Sequence, residues 1–88
     1  KAKDIKVIDV TEKSDITSTL VICSGNSKRH VASIAENVIV ECKQVDRPPL
    51  SVEGKSEGEW VLVDLGELVL HVMQNESRDF YQLEKLWQ

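Results

Sequence analysis

Residues 24–30 have the composition that comes closest to a phosphate-binding site. A Ser-Gly-Asn-Ser segment at 24–27 is followed by Arg29 and His30. A loop that leads into a helix presents unpaired backbone N–H groups, which attract anions. The segment lacks the further glycines of a Walker loop or a dinucleotide fingerprint. We therefore expect a capped helix with two exposed side chains here rather than a phosphate site.

Other residues with reactive side chains also lack the neighbouring residues that metal binding or catalysis requires. Glu53 and Asp64 could hold magnesium if their strands were adjacent, but no Asp-x-Asp motif accompanies them, and a metal site needs several converging oxygens. His71 could act as a general base, yet no serine or cysteine stands in a nucleophile motif that it could serve. We expect solvated or partner-facing carboxylates and a hydrogen-bonded histidine within a sheet.

The two cysteines, Cys23 and Cys42, fall in apolar patterns. No Cys-x-x-Cys or His-x-x-x-His spacing is present, so the sequence indicates no structural zinc site. We expect two buried thiols, as in a protein of the reducing cytosol.

The size and charge of the chain limit its architecture and its partners. Its 88 residues, 41% of them hydrophobic and 30% charged, predict one folded domain spanning residues 1–88. No apolar run approaches the ~20 residues of a membrane span. Residues 46–88 hold four basic and nine acidic side chains, a net charge of −5, while the whole chain carries −4. This distribution disfavours nucleic acid and favours a basic partner.

The first half of the chain predicts two strands and a long helix. Residues 5–10 alternate apolar and polar side chains, which is typical of a strand. Residues 19–23 are continuously apolar, as in a strand that is covered on both faces. The helix should run from Lys28 to about Val45, because apolar side chains recur there every three or four residues: Val31, Ile34, Ala35, Val38, Cys42 and Val45.

The second half predicts a short strand at residues 50–53 and then a hairpin. Residues 60–65 and 68–73 are apolar except for Asp64 and His71, and they flank the dipeptide Gly66-Glu67, which suits a two-residue turn. One face of the hairpin is then wholly apolar and must lie in the core: Val61, Val63, Leu65, Leu68, Leu70 and Val72. The other face carries Trp60, Leu62, Asp64, Val69, His71 and Met73. We expect that face to be covered by the same chain or offered to a partner.

A last helix is predicted over residues 76–87, with Asn75 as its cap. Phe80, Leu83 and Trp87 share a stripe that should dock on the sheet, with Tyr81 on a neighbouring face. The whole is an α/β domain with a mixed β-sheet flanked by helices.

Several sequence blocks resemble the ribosomal silencing factor family (RsfS, also called Iojap), and together they span nearly the whole chain. They are KAKDI at 1–5, SGNSKRHV at 24–31, VEG at 52–54, WVLVDLG at 60–66, HVM at 71–73 and RDFYQLEKLW at 78–87. The resemblance implies a nucleotidyltransferase-like fold without the catalytic carboxylates, no enzyme activity, and no cofactor or metal. It also implies a helix upstream of residue 1 that this chain lacks.

The function that the resemblance implies is translational repression in the cytoplasm. Family members bind a basic protein on the intersubunit face of the large ribosomal subunit, block joining of the small subunit when nutrients are short, and often form homodimers when free. Relatives in organelles act in large-subunit assembly. The contact residues carried over to this chain are Trp60, Asp64, His71, Met73, Tyr81 and Glu84.

Two other functions remain open on the sequence. One is a nucleotidyltransferase-like enzyme or nucleotide-binding module that uses Gly25, Ser27 and Arg29. The other is a structural dimerisation module.

Overall fold

A computed structural model of the chain describes residues 2–15 and 17–87. Within these ranges the chain forms five strands and three helices. In chain order they are β1 (Lys3–Asp9), β2 (Thr19–Gly25), α1 (Lys28–Gln44), β3 (Ser51–Glu53), β4 (Trp60–Asp64), β5 (Leu68–Gln74), α2 (Asn75–Tyr81) and α3 (Leu83–Trp87).

The strands form a single sheet in the order β1-β2-β5-β4-β3. β2 and β5 are parallel, and the other three neighbouring pairs are antiparallel. The predicted mixed sheet is therefore confirmed. The predicted hairpin register is confirmed as well, since Trp60 pairs with Met73 and Val63 pairs with Leu70.

Both faces of the sheet are covered, so the fold has two apolar clusters. On one face α1 packs against the hairpin, and Val31 and Ala35 of α1 are completely buried there. This first cluster contains four of the predicted hairpin core residues, Val61, Val63, Leu70 and Val72, while Leu65 and Leu68 pack at its edge. The second cluster lies on the opposite face and consists of Ile8, Val10, Leu20, Ile22, Met73 and Leu83. The hairpin face that carries Met73 is thus covered by the same chain at His71 and Met73, while its other four residues are half-buried.

The C-terminal helix differs from the prediction. It is divided at Gln82, which adopts a left-handed conformation (φ 51°, ψ 52°). This break lets α3 place Leu83 in the second cluster and Trp87 against it, while Phe80 stays outside, 80% exposed. The predicted docking of Phe80 on the sheet is therefore wrong. The cap position is Gln74 rather than Asn75, without a side-chain hydrogen bond.

The remaining predictions for the first half need smaller corrections. α1 ends at Gln44, and Val45 is 66% exposed instead of continuing the buried stripe. Both cysteines are free, and Cys23 is buried, but Cys42 is only half-buried. In the described residues no helix combines the length and the apolar character needed to cross a membrane.

Candidate partner-binding groove

Trp60 begins β4 and lies at the edge of the second cluster, where it is half-buried. Its indole N–H donates a hydrogen bond to Nδ1 of His71, with 2.9 Å between the nitrogens. The indole ring also packs against Tyr81, at 4.8 Å between ring centroids and a tilt of 45°. The sheet and α2 together therefore hold the orientation of this tryptophan.

Four rings form a continuous row from the interior to the surface: His71, Trp60, Tyr81 and Phe80. We refer to this set as the aromatic row. His71 is 8% exposed, whereas Tyr81 is 51% exposed, and Phe80 meets Tyr81 edge-on at 5.1 Å between centroids. Large exposed aromatic side chains of this kind are enriched in protein–protein interfaces.

An open groove of about 420 Å³ lies beside Trp60 and Tyr81. Its lining consists of Glu53, Gly54, Glu57, Glu59, Trp60, Leu62, Ser77 and Tyr81, and we call it the acidic groove. Among the residues described, no lysine or arginine lines it. Three carboxylates thus stand next to two aromatic rings.

The turn at residues 54–59 brings the glutamates to the groove. Gly54 has φ +82°, and a Cβ at this position would lie 2.2 Å from the carbonyl oxygen of Trp60, so only glycine fits. The backbone N–H of Gln74 donates to the carbonyl of Glu59 at 3.0 Å, which fastens the end of the turn to β5. The side chains of Glu57 and Glu59 remain exposed.

Lys55 points away from the groove and pairs with Glu36 of α1. Its positive charge is therefore paired with Glu36 and does not neutralise the groove. The arrangement suits a lysine or arginine side chain from a partner, because aromatic faces attract cations and carboxylates complement them.

His71 supports the groove from below. Burial lowers its pKa to about 4, so the imidazole is neutral at pH 7. Because Nδ1 accepts the hydrogen bond from Trp60, the proton of the neutral ring sits on Nε2.

The six contact residues that the sequence predicts do not form one surface. Trp60 and Tyr81 meet at the acidic groove. Met73 is fully buried in the second cluster, which does not fit direct contact with a partner. Asp64 lies at the far end of β4, where one of its carboxylate oxygens accepts from the backbone N–H of Gly66 at 2.9 Å.

Glu84 belongs to a separate network around Arg78. Nε of Arg78 donates to Glu84 at 2.9 Å, and Nη1 donates to the hydroxyl of buried Ser24 at 2.7 Å and to the carbonyl of Asp4 at 2.6 Å. Burial alone would raise the pKa of Glu84, but hydrogen bonds from its own backbone N–H and from Arg78 hold this pKa below its ordinary value. The network connects α2 and α3 to β1 and β2.

The sequence analysis did not assign Glu57, Glu59 or Phe80 to a partner-binding surface. The signal for the glutamates was present in the acidic second half of the chain and in the polar turn that precedes Trp60. Phe80 could not be found this way, since a continuous helix would have buried it.

The loop at residues 24–27 has a structural explanation. The Ser27 hydroxyl caps α1 by accepting from the N–H of His30 at 3.1 Å. A Cβ on Gly25 would lie 2.8 Å from Cγ2 of Val31, so glycine allows β2 and α1 to approach closely. Arg29 is exposed. In the part of the chain that the structure describes, no three His, Cys, Asp or Glu side chains are grouped so as to hold a metal ion.

Comparisons with known proteins agree on one family. The family model described as "Ribosomal silencing factor during starvation" matches residues 1–88. The chain is 46% identical over 87 residues to the Haemophilus influenzae protein named ribosomal silencing factor RsfS, and the alignment covers 99% of this chain and 85% of that protein. It is 38% identical over 89 residues to the Mus musculus protein named mitochondrial assembly of ribosomal large subunit protein 1, and this alignment covers 98% of this chain and 39% of that protein.

A solved structure has the same fold. A crystal structure of a Chromobacterium violaceum protein superimposes with a TM-score of 0.96 at 38% identity, covering 99% of this chain and 72% of that one. The name of the matched family describes a regulatory factor rather than an enzyme. From its sequence and its fold, this chain belongs to the ribosomal silencing factor family.

Proposed function

We propose that this chain binds the large ribosomal subunit in the cytoplasm, through a basic ribosomal protein at the intersubunit face. Bound there, it blocks joining of the small subunit by occupying the contact surface, and so represses translation when nutrients are limited. The mechanism is steric and requires no cofactor, metal or catalytic group.

The observation that carries the proposal is the acidic groove beside the exposed end of the aromatic row. Glu53, Glu57 and Glu59 supply negative charge, and Trp60 and Tyr81 supply partly exposed rings. Ribosomal proteins that contact RNA are basic, and a lysine or arginine from such a protein would find both a cation–π surface and carboxylates here. Tryptophan, tyrosine and arginine dominate the binding energy of protein interfaces in general.

The name of one relative also supports binding to the large subunit. The mouse relative is named for assembly of the large ribosomal subunit, and the similarity to it extends over 98% of this chain. We extend that target to this chain.

Trp60 and Tyr81 are the proposed central contacts, with Asp64 at the periphery. His71 and Met73 stabilise this surface from beneath, since both are buried. Glu84 supports it through Arg78, which anchors the helix that carries Tyr81.

The proposal is tested by sedimentation of the chain with separated ribosomal subunits on sucrose gradients. We expect the parent chain to sediment with large subunits but not with small ones, and less so as the salt concentration rises. The double variant Glu57→Gln/Glu59→Gln should bind about tenfold more weakly, because two uncompensated interface charges are lost.

The matched control is Glu12→Gln/Glu41→Gln, which removes the same charge from exposed positions outside the groove. This control should bind like the parent. Equal weakening in both double variants would show that only net charge matters and would remove the groove from the proposal. A parent chain that stays at the top of the gradient would contradict large-subunit binding itself.

A further inference from the structure

His71 is placed where it can control Trp60 without reaching a partner. It is 8% exposed, and it is not among the described residues that line the acidic groove. In the hairpin His71 pairs with Leu62, and Trp60 pairs with Met73, so the two rings are diagonal neighbours on one face of the sheet. The ring centroids are 5.9 Å apart, and the indole lies between the imidazole and Tyr81.

The hydrogen bond from the indole N–H to Nδ1 of His71 determines the rotation of the indole about its side-chain bonds. Tyr81 packs against the indole ring, but this contact does not distinguish the edge that bears the N–H from the opposite edge. A hydrogen bond of 2.9 Å to a buried acceptor does distinguish them, since the N–H must point inward. The remaining indole surface is then presented at the groove in one orientation.

We propose that His71 is a positioning residue for partner binding, which holds the Trp60 indole in its binding orientation and does not itself contact the partner. This assignment rests on the proposed function, in which Trp60 is a central contact. It differs from the role that the family resemblance implies for His71, which is that of a contact residue. Pre-organised aromatic side chains favour binding because less rotational freedom is lost when the partner arrives.

Two substitutions of His71 separate positioning from bulk packing. His71→Phe keeps a ring of similar volume but removes the acceptor. His71→Asn places an amide oxygen near the position of Nδ1 and so keeps an acceptor. The reciprocal variant Trp60→Phe removes the donor and leaves His71 in place. All variants are made in the full chain.

The first readout is the ¹H–¹⁵N resonance of the Trp60 indole N–H, assigned by its loss in Trp60→Phe. In His71→Phe this resonance should move upfield, because the hydrogen bond to the imidazole is lost, while His71→Asn should retain most of the parent shift. The second readout is affinity for large ribosomal subunits, which should fall about tenfold in His71→Phe and recover in His71→Asn.

A double-mutant cycle then tests for direct contact. Adding His71→Phe to Trp60→Phe should weaken binding by less than twofold, because the effect of His71 acts through the indole N–H. If His71→Phe costs the same factor in both backgrounds, His71 acts independently of the indole and the proposal is overturned. A His71→Asn variant that behaves like His71→Phe in both readouts would overturn it equally.

Failure of the proposed function gives a different result from failure of the positioning role. If the parent chain does not bind large subunits, that function falls, whereas the indole resonance still reports whether His71 orients Trp60. If His71→Phe unfolds, His71→Leu removes the acceptor in its place and is compared with His71→Asn, because Trp60→Phe also alters a proposed contact. Full affinity in a folded His71→Leu variant would then refute the positioning role.

Discussion

At the scale of single residues, Phe80 and Tyr81 differ more than their adjacency suggests. Tyr81 packs on Trp60 and lines the acidic groove, whereas Phe80 contacts only the outer edge of Tyr81 among the ring pairs described and is 80% exposed. An exposed phenylalanine beside a groove contributes little to folding and is available to a partner.

Phe80→Ala should therefore weaken binding to large subunits about fivefold to tenfold while leaving the free energy of unfolding within ~0.5 kcal/mol of the parent. Leu86→Ala is the matched control, since Leu86 is 71% exposed on α3 and does not line the groove. It should change neither property. Gradient sedimentation and denaturant melts measure both. Equal binding by the two variants would limit the contact surface to Trp60 and Tyr81.

His71 makes the stability of the fold dependent on pH. Its pKa is lowered by burial from 6.5 to about 4, so the unfolded chain binds a proton that the folded chain excludes. The free energy of unfolding is therefore highest at pH values above 6.5, where the histidine is neutral in both states. It decreases as the pH falls from 6.5 toward 4, because only the unfolded chain then binds the proton. Between pH 7.5 and pH 5 the free energy of unfolding should fall by about 2 kcal/mol.

The variant His71→Asn cannot titrate and should lose most of this slope. Denaturant melts at several pH values above 5 make the comparison, in a range where carboxylates with lowered pKa values, such as that of Glu84, stay ionised. An unchanged slope in His71→Asn would assign the pH dependence to other groups.

The burial of Met73 could be predicted only in part from the sequence. The alternation of residues 60–73 correctly assigns Met73 to the hairpin face of Trp60. Alternation identifies a face but not what covers it. Ile8, Leu20 and Leu83 come from three distant parts of the chain, and their packing buries Met73.

At the scale of elements, the two short C-terminal helices depend on Arg78. Its guanidinium reaches β1 through the carbonyl of Asp4, β2 through Ser24 and α3 through Glu84. Asp4 has φ +50° within a register shift of β1, which occurs between Lys3 and Lys6. The arginine and glutamate side chains are only 12% and 23% exposed, so their pairing is protected from solvent.

Arg78→Met should lower the free energy of unfolding by about 3 kcal/mol, because it leaves the Glu84 carboxylate and the buried Ser24 hydroxyl without this donor. Arg29→Met, at an exposed position of α1, is the control and should change stability by less than ~0.5 kcal/mol. Denaturant melts provide the measurement. A loss below ~1 kcal/mol for Arg78→Met would show that the C-terminal helices are held by Leu83 and Trp87 instead.

The elements themselves were predictable to different degrees. The hairpin and α1 follow from local periodicity, since their apolar residues repeat at intervals that match one structure each. The break at Gln82 has no such signal. Residues 76–87 form an acceptable helical stripe, and the division into α2 and α3 arises because Leu83 and Trp87 reach the second cluster only after the turn.

At the scale of the whole molecule, the described residues form a flat body of 34 × 34 × 18 Å. The acidic groove and the exposed end of the aromatic row occupy part of one side, so a partner bound there leaves the rest of the domain projecting outward. Such a projecting body can obstruct a second large surface without any conformational change. The charge of −5 over residues 46–88 was readable from the sequence, whereas its concentration beside Trp60 required the fold.

We propose that binding through the acidic groove prevents the ribosomal subunits from joining. The most direct test mixes large subunits first with the chain and then with small subunits, and follows joined particles by light scattering. We predict that the parent chain lowers the joined fraction to a plateau near one copy per large subunit. Glu57→Gln/Glu59→Gln should require about tenfold more protein, while Glu12→Gln/Glu41→Gln should match the parent. Normal joining on large subunits that carry the parent chain would contradict steric blockage.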